Sequence, residues 1–311
     1  MRIIDAAQVH ACLDDVALVE RLASMFRAGC EAPVRHHHAI ATAGAEATLL
    51  LMPAWQVGRH IGIKLVTVFP DNAKQGLPAV MGTYLLSDAT SGAPIALIDG
   101  PSLTVRRTAC ASALASRYLS RADSRRLLMI GTGAMAPHLI RAHAAVRPIR
   151  EVLVWGRDAG KAAALARQVS GGALAARPVA DLAQAVAEAD IVSCATLSRA
   201  PLVLGAWLRP GTHVDLVGAY TPDMRESDDD AVRRARVFVD TRAGATKEGG
   251  DVVQPLRSGV LTPAGIIADL FELTRGEKAG RGGPEEITLF KSVGTALEDL
   301  AAAELAVERG G

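Results

Sequence analysis

Two hydrophobic rhythms divide the chain. From Val16 to Ala28 apolar residues recur every three or four positions, the pattern of a helix with one buried face, and Asp14 or Asp15 stands where a carboxylate can cap its first turn. Short β-type runs follow at Ala47 to Met52, Ile61 to Phe69, Val80 to Leu86 and Pro94 to Ile98. Turn-forming stretches separate them, among them Pro70-Asp71-Asn72 and Asp88-Ala89-Thr90-Ser91-Gly92. A helix is expected from about Ser102 to Ser120, with Ser102 as its cap. This part reads as a sheet-based α+β region.

After Leu127 strands and helices alternate. The apolar run Leu127-Leu128-Met129-Ile130 meets Gly131-Thr132-Gly133-Ala134-Met135-Ala136 and then a helical pattern, and a second apolar run, Val152 to Trp155, ends in Gly156-Arg157. Helices are expected at Ala159 to Val169 and Asp181 to Glu188, and extended segments at Ile191 to Ala195, His213 to Val217 and Val237 to Asp240. Leu289 to Gly294 precedes a last helix, Thr295 to Arg309. The alternation predicts an α/β fold with a Rossmann-type, doubly wound parallel sheet, whose ligands collect at the carboxyl ends of the strands. That rule brings Thr196, Gly218 and Tyr220 to the crevice.

The glycine-rich turn carries the first chemical inference. Gly131 permits a sharp strand-to-helix turn, Gly133 lets a pyrophosphate approach the backbone, and Ala136 is small enough for close helix packing. Backbone N–H groups at the following helix start suit paired phosphates. Arg157 stands about where such sites read the ribose 2′ position; its cation matches a 2′-phosphate, so NADP (NADPH) is favoured over NAD. Asp158 is expected to cap the helix that begins near Ala159.

The 311 residues are enough for two domains, and half of them are apolar. A formal net charge of +1 with scattered basic residues gives no track for nucleic acid and no membrane-binding face, so small molecules are the expected partners. The start, Met1 to Asp5, lacks the apolar core of a signal peptide, and a cytoplasmic location is the expectation. Cys12, Cys30, Cys110 and Cys194 have no paired spacing and read as small buried residues.

Three basic features stand out. Lys64 lies in His60 to Phe69, a strand that otherwise reads as buried on both faces, so it either reaches solvent or faces an anion. Arg106 and Arg107 occupy the first turns of a helix, where the dipole disfavours cations, which implies an anion nearby. His36-His37-His38 lacks the spaced geometry of a metal-ligand set and is read as a loop, as is Arg35 before it; no metal site is expected.

Taken together the motifs resemble the ornithine cyclodeaminase and mu-crystallin family over nearly the whole length. The matching pieces are Pro33-Val34-Arg35, Leu51-Met52-Pro53, Gly62-Ile63-Lys64 with Pro70-Asp71-Asn72, Leu103-Thr104 with Arg107-Thr108-Ala109, and the turn from Gly131 to Ala136. Pro210 to Val214, Val217-Gly218-Ala219, Met224-Arg225-Glu226 and Phe290 to Gly294 complete the series. The resemblance implies a Rossmann domain over residues 121–294 and a substrate-binding and dimerisation domain over residues 1–120, completed by residues 295–311, in a homodimer. It implies that Arg35, Lys64 and Arg107 surround a substrate carboxylate beside the nicotinamide. It also assigns Thr108, Gly131, Thr132, Gly133, Ala134, Met135, Arg157, Thr196, Gly218, Ser292 and Val293 to the cofactor.

One position departs from the family's cyclodeaminases. They carry an aspartate after the stretch matching Val217-Gly218-Ala219, to handle the substrate's distal amine; here Tyr220 follows. A cyclic imine brings no such ammonium and suits an aromatic wall. The resemblance therefore implies NAD(P)H-dependent reduction of a cyclic ketimine carboxylate, Δ1-pyrroline-2-carboxylate or Δ1-piperideine-2-carboxylate, to L-proline or L-pipecolate. In this reading Arg107 and Arg35 hold the carboxylate, Lys64 orients and protonates the imine, and Tyr220 walls the ring. The alternatives are ornithine cyclodeaminase itself, an alanine dehydrogenase-like enzyme, and a crystallin-like protein that binds NADPH without turnover; Asp223 is the acid nearest to the missing aspartate.

Overall fold

The computed structural model describes residues 1–310. Contacts divide them into two units, one formed by Met1–Thr108 together with the segment from Thr295, the other by Ala109–Gly294.

In the first unit β1 (Arg2–Ile4), α1 (Ala6–Cys12) and α2 (Asp15–Ala28) precede the strands β2 (His36–Ile40), β3 (Ala47–Trp55), β4 (His60–Val68), β5 (Val80–Asp88) and β6 (Pro94–Asp99). They form one sheet in the order β1-β6-β5-β4-β3-β2, antiparallel except for the β1–β6 pair. Asp14, one of the two acids expected to do so, caps α2 through the Ala17 N–H. His36-His37-His38 is not a loop: it forms part of β2, an edge strand paired to Leu49, Leu50 and Leu51. Its polar side chains hid an ordinary ladder partner, because an edge strand need not alternate.

Helix α3 (Gly100–Leu119) contains the boundary between the units. It begins two residues before Ser102, and Asp99 accepts the Ser102 N–H at 2.8 Å, so the cap expected of Ser102 belongs to Asp99.

The second unit runs through β7 (Arg126–Ile130), α4 (Ala136–Val146), β8 (Glu151–Trp155), α5 (Ala159–Val169), β9 (Ala175–Pro178), α6 (Leu182–Glu188), β10 (Ile191–Cys194) and β11 (His213–Leu216). It continues with α7 (Asp229–Arg234), β12 (Ala235–Val239), α8 (Arg242–Glu248), α9 (Gly250–Ser258), β13 (Ile266–Asp269), α10 (Leu270–Arg275) and β14 (Ile287–Lys291). The sheet is wholly parallel, in the order β13-β12-β14-β11-β10-β7-β8-β9. Strand order reverses between β7 and β10, the place where such sheets bind ligands. Leu128, Ile130, Leu153, Val192, Val214, Leu216 and Leu289 fill its core, which explains why these strands read as unbroken apolar runs.

The last helix, α11 (Ala296–Arg309), returns to the first unit and packs on α2, β3 and β4. No helix among the described residues is long and apolar enough to cross a membrane. None of the four cysteines forms a disulfide; Cys110 and Cys194 are buried as expected, whereas Cys12 and Cys30 are only half-buried.

Candidate active site

Strand alternation turns Gly62 and Lys64 to the buried side of β4 and leaves Ile63 and Leu65 on the exposed side. Lys64 is 2% exposed. An ammonium held so far from water needs a counter-charge, and α11 brings one: Lys64 Nζ lies 2.9 Å from Asp299 Oδ1 and 2.8 Å from Oδ2. Thr104 Oγ1, one turn of α3 before Arg107, accepts a third contact from Lys64 at 3.3 Å. Arg107 donates through Nε to Asp299 Oδ1 at 2.8 Å and through Nη1 to Glu298 Oε2 at 2.6 Å. Asp299 thus bridges both cations. The two acids stand in the first turn of α11, where the helix dipole favours them.

The electrostatics follow from this geometry. Burial lowers the Lys64 ammonium to about 8, helped by the Arg107 charge and, more weakly, by Arg35, and opposed by Asp299. Asp299 is pushed up by burial, yet Arg107 and Lys64 outweigh that and hold it below the usual carboxylate range. Burial also works against the Arg107 charge, and the two carboxylates more than offset it. Arg35, half-buried in the loop before β2, adds its positive charge to the field at Lys64. Arg106, the other cation noted in the first turns of α3, pairs with Asp15 at 2.9 Å. The anions inferred from these two arginines therefore include the protein's own.

In the second unit the turns after β7, β8, β10 and β11 enclose a cavity of about 880 Å³. Gly131, Thr132, Gly133, Ala134, Met135, Arg157, Thr196, Gly218 and Tyr220 all line it. Gly131 has φ +112°, and a Cβ there would stand 2.5 Å from the Ala195 carbonyl, so no other residue fits the turn. A Cβ on Gly133 would meet nothing within 4 Å, which leaves its backbone open to a ligand. The turn leads into α4 with Pro137 in its first positions, where a missing N–H costs nothing. Volume, open glycine backbone and helix start together fit a dinucleotide pyrophosphate. Asp158 accepts the Lys161 N–H at 3.0 Å and so caps α5, as anticipated.

Three of the residues assigned to the cofactor lie off this cavity wall. Thr108 is in the first unit, one residue beyond Arg107. Ser292 and Val293 follow β14, and the N–H groups of Val293 and Gly294 each donate to Asp240 Oδ2 at 2.7 Å. Tyr220 is 47% exposed on the wall, whereas Asp223 is absent from it and pairs with Arg199 at 3.0 Å. Sequence reasoning missed Asp299 and Glu298, whose signal was a pair of acids at the start of a helix that is otherwise mostly Ala and Leu where it is buried. It also missed Lys161, a second cation one turn of α5 beyond Arg157.

The family model for the ornithine cyclodeaminase/mu-crystallin family matches residues 5–310. The chain belongs to this family. One similar relative is the Delta(1)-pyrroline-2-carboxylate reductase of Paracoccus denitrificans, 43% identical over 254 residues covering 81% of this chain and 80% of that protein. Among solved structures, Thermococcus litoralis Delta(1)-pyrroline-2-carboxylate reductase in complex with NADH and L-proline superposes with a TM-score of 0.92 at 34% identity, covering 99% of this chain and 97% of the other. An archaeal alanine dehydrogenase dimer with bound NAD gives 0.91 at 28% identity, with 99% and 95% covered. The family members share the Rossmann-type architecture described above.

Proposed function

We propose that this chain reduces a cyclic ketimine carboxylate, Δ1-pyrroline-2-carboxylate or its six-membered homologue, to L-proline or L-pipecolate. It is an NAD(P)H-dependent oxidoreductase acting on C=N bonds. When bound, the reduced nicotinamide supplies a hydride to the imine carbon. Arg107 and Arg35 bind the substrate carboxylate, which fixes the α-carbon. Lys64 holds a proton for the ring nitrogen, directly or through a water it orients, and regains it from solvent after turnover. Imine, hydride and proton together make the secondary amine, so the reaction balances without ammonia release.

The observation that carries this reading over a cyclodeaminase is Tyr220 on the cavity wall. The acid nearest in sequence, Asp223, is off that wall and engaged by Arg199, and Asp158, a carboxylate that does line the cavity, stands at the turn after β8 and caps α5, so neither is offered as counter-charge and base for a distal ammonium. The test compares NADPH consumption with pyrroline-2-carboxylate against ammonia release from ornithine with NAD⁺. Rapid consumption without ammonia supports the reductase; ammonia from ornithine refutes it.

NADPH is the preferred cofactor in this reading, because Arg157 and Lys161 are both exposed cations at the turn that meets the ribose, and the carboxylate between them is engaged in capping. The protein is also read as a homodimer. Across the exposed side of the first sheet Pro53, Ile63, Leu85 and Leu97 form one cross-strand row, and Leu51, Leu65 and Thr83 the next. Ile63 and Leu65 are each 38% exposed, and a continuous apolar sheet face of this kind calls for a partner. A second copy fits, as the archaeal alanine dehydrogenase is a dimer.

A further inference from the structure

Two of the four turns that wall the cavity are joined from behind by one buried carboxylate. Glu226 is completely buried. Its Oε1 accepts the N–H of Thr196 at 2.7 Å and the Thr196 hydroxyl at 2.8 Å, and its Oε2 accepts the N–H groups of Gly218 at 2.8 Å and Ala219 at 3.3 Å. Thr196 follows β10 and Gly218 follows β11, and both line the cavity. At this seam a Cβ on Gly218 would stand 2.0 Å from the Thr196 carbonyl oxygen, so the turns are as close as backbone permits.

The carboxylate is itself anchored. The N–H groups of Glu226 and Ser227 donate to Asp251 Oδ1 at 2.9 and 2.8 Å, and Ser227 Oγ does so at 3.1 Å. Asp251 Oδ2 faces Lys291 Nζ, at the end of β14, at 3.4 Å, with both side chains fully buried. Burial raises the Glu226 carboxyl, and Asp251 adds to that, while Lys291, the Thr196 N–H and the Cys194 thiol act in the other direction.

We propose that Glu226 is the positioning residue of the cofactor cavity: its ionised carboxylate clamps the turns after β10 and β11 at the spacing a dinucleotide requires, without touching the cofactor. This rests on the cavity being the nucleotide site. All four contacts to the two turns come from donors, so the clamp needs an acceptor on both sides. Glutamine has the same shape but presents an acceptor to one turn and an N–H₂ group to the other, where at least one N–H donor would face it unpaired whichever way the amide is turned.

The test uses Glu226→Gln in the full chain. Binding of NADH and NADPH is followed by quenching of Trp fluorescence, with concentrations referred to folded protein. The expected result is a Kd raised about tenfold or more for both nucleotides. kcat at saturating cofactor should stay within about twofold of wild type, because no group at the reacting atoms has changed. Amide exchange should accelerate at Thr196, Gly218 and Ala219 and stay unchanged in β7. A variant with wild-type Kd and exchange overturns the proposal, as does one whose loss is only a smaller folded fraction. If the variant does not fold, exchange in cofactor-free wild type decides: protected Thr196 and Gly218 amides support the clamp, and rapid exchange there overturns it. A wild-type protein that binds neither nucleotide refutes the cavity assignment instead, and leaves the exchange result to judge the clamp.

Discussion

With Lys64 in its proposed role as proton donor, the reductive kcat/KM should fall about tenfold between pH 7 and pH 9, because burial has lowered that ammonium to about 8. The protonated fraction of such a group is about 0.9 at pH 7 and about 0.1 at pH 9, whereas a lysine near 10.4 stays almost fully charged over that span. The sign is fixed by the role: a proton donor loses activity as pH rises through its pKa, and the reverse oxidation of L-proline, which needs the neutral amine, gains it through the same pH. Initial rates of NADPH consumption at constant ionic strength give the profile. Lys64→Arg separates the enzyme from the substrate, since a guanidinium does not titrate here; any limb it retains belongs to the imine. Lys64→Met should lose about 10²–10⁴-fold in turnover while binding NADPH normally. A wild-type profile flat to pH 9, or a Met variant keeping more than a tenth of the turnover, refutes the assignment of Lys64.

Removing a counter-charge should move the same limb: Asp299→Asn lowers the Lys64 pKa further, so activity falls at a lower pH in the same assay. Asp299→Ala should cost about 3–5 kcal/mol in urea unfolding, because two buried cations lose their shared partner. Replacing Arg157 and Lys161 with Ala should weaken NADPH binding by about 10–100-fold and leave NADH binding nearly unchanged, as titration of each nucleotide will show. Gly133→Val should block cofactor binding without lowering Tm, whereas Gly131→Ala should lower Tm, because its Cβ meets the Ala195 carbonyl. If the proposed homodimer forms through the apolar face of the first sheet, the wild type should sediment as a dimer and Leu65→Glu as a monomer.

Local signals carried the second unit well. Its turn after β7 and the helices α5 and α6 could be placed because capping acids, glycine spacing and unbroken apolar runs all act within a few residues. Lys64 was recognisable as anomalous for the same reason. What satisfies it was not: Asp299 lies 235 positions away, and no local pattern reports a pairing of that range. The role of Glu226 was hidden similarly, since three of its four contacts to the turns are with backbone N–H groups, which carry no sequence signature. Strand β2 went unrecognised because its histidines lack the alternation that betrays a half-buried strand.

The placement of α11 also bears on how the protein is made. Synthesis completes the parallel-sheet unit, one uninterrupted stretch, before the residues from Thr295 emerge, yet Lys64 and Arg107 have left the ribosome long before. Until Glu298 and Asp299 appear, those two cations lack the carboxylates that pair with them, so the faces of β4 and α3 that carry them stay open to water. With the sites as proposed, the nascent chain acquires its nucleotide fold first and its carboxylate grip last, and a ribosome stalled short of α11 is expected to hold a polypeptide that takes up cofactor and cannot use it.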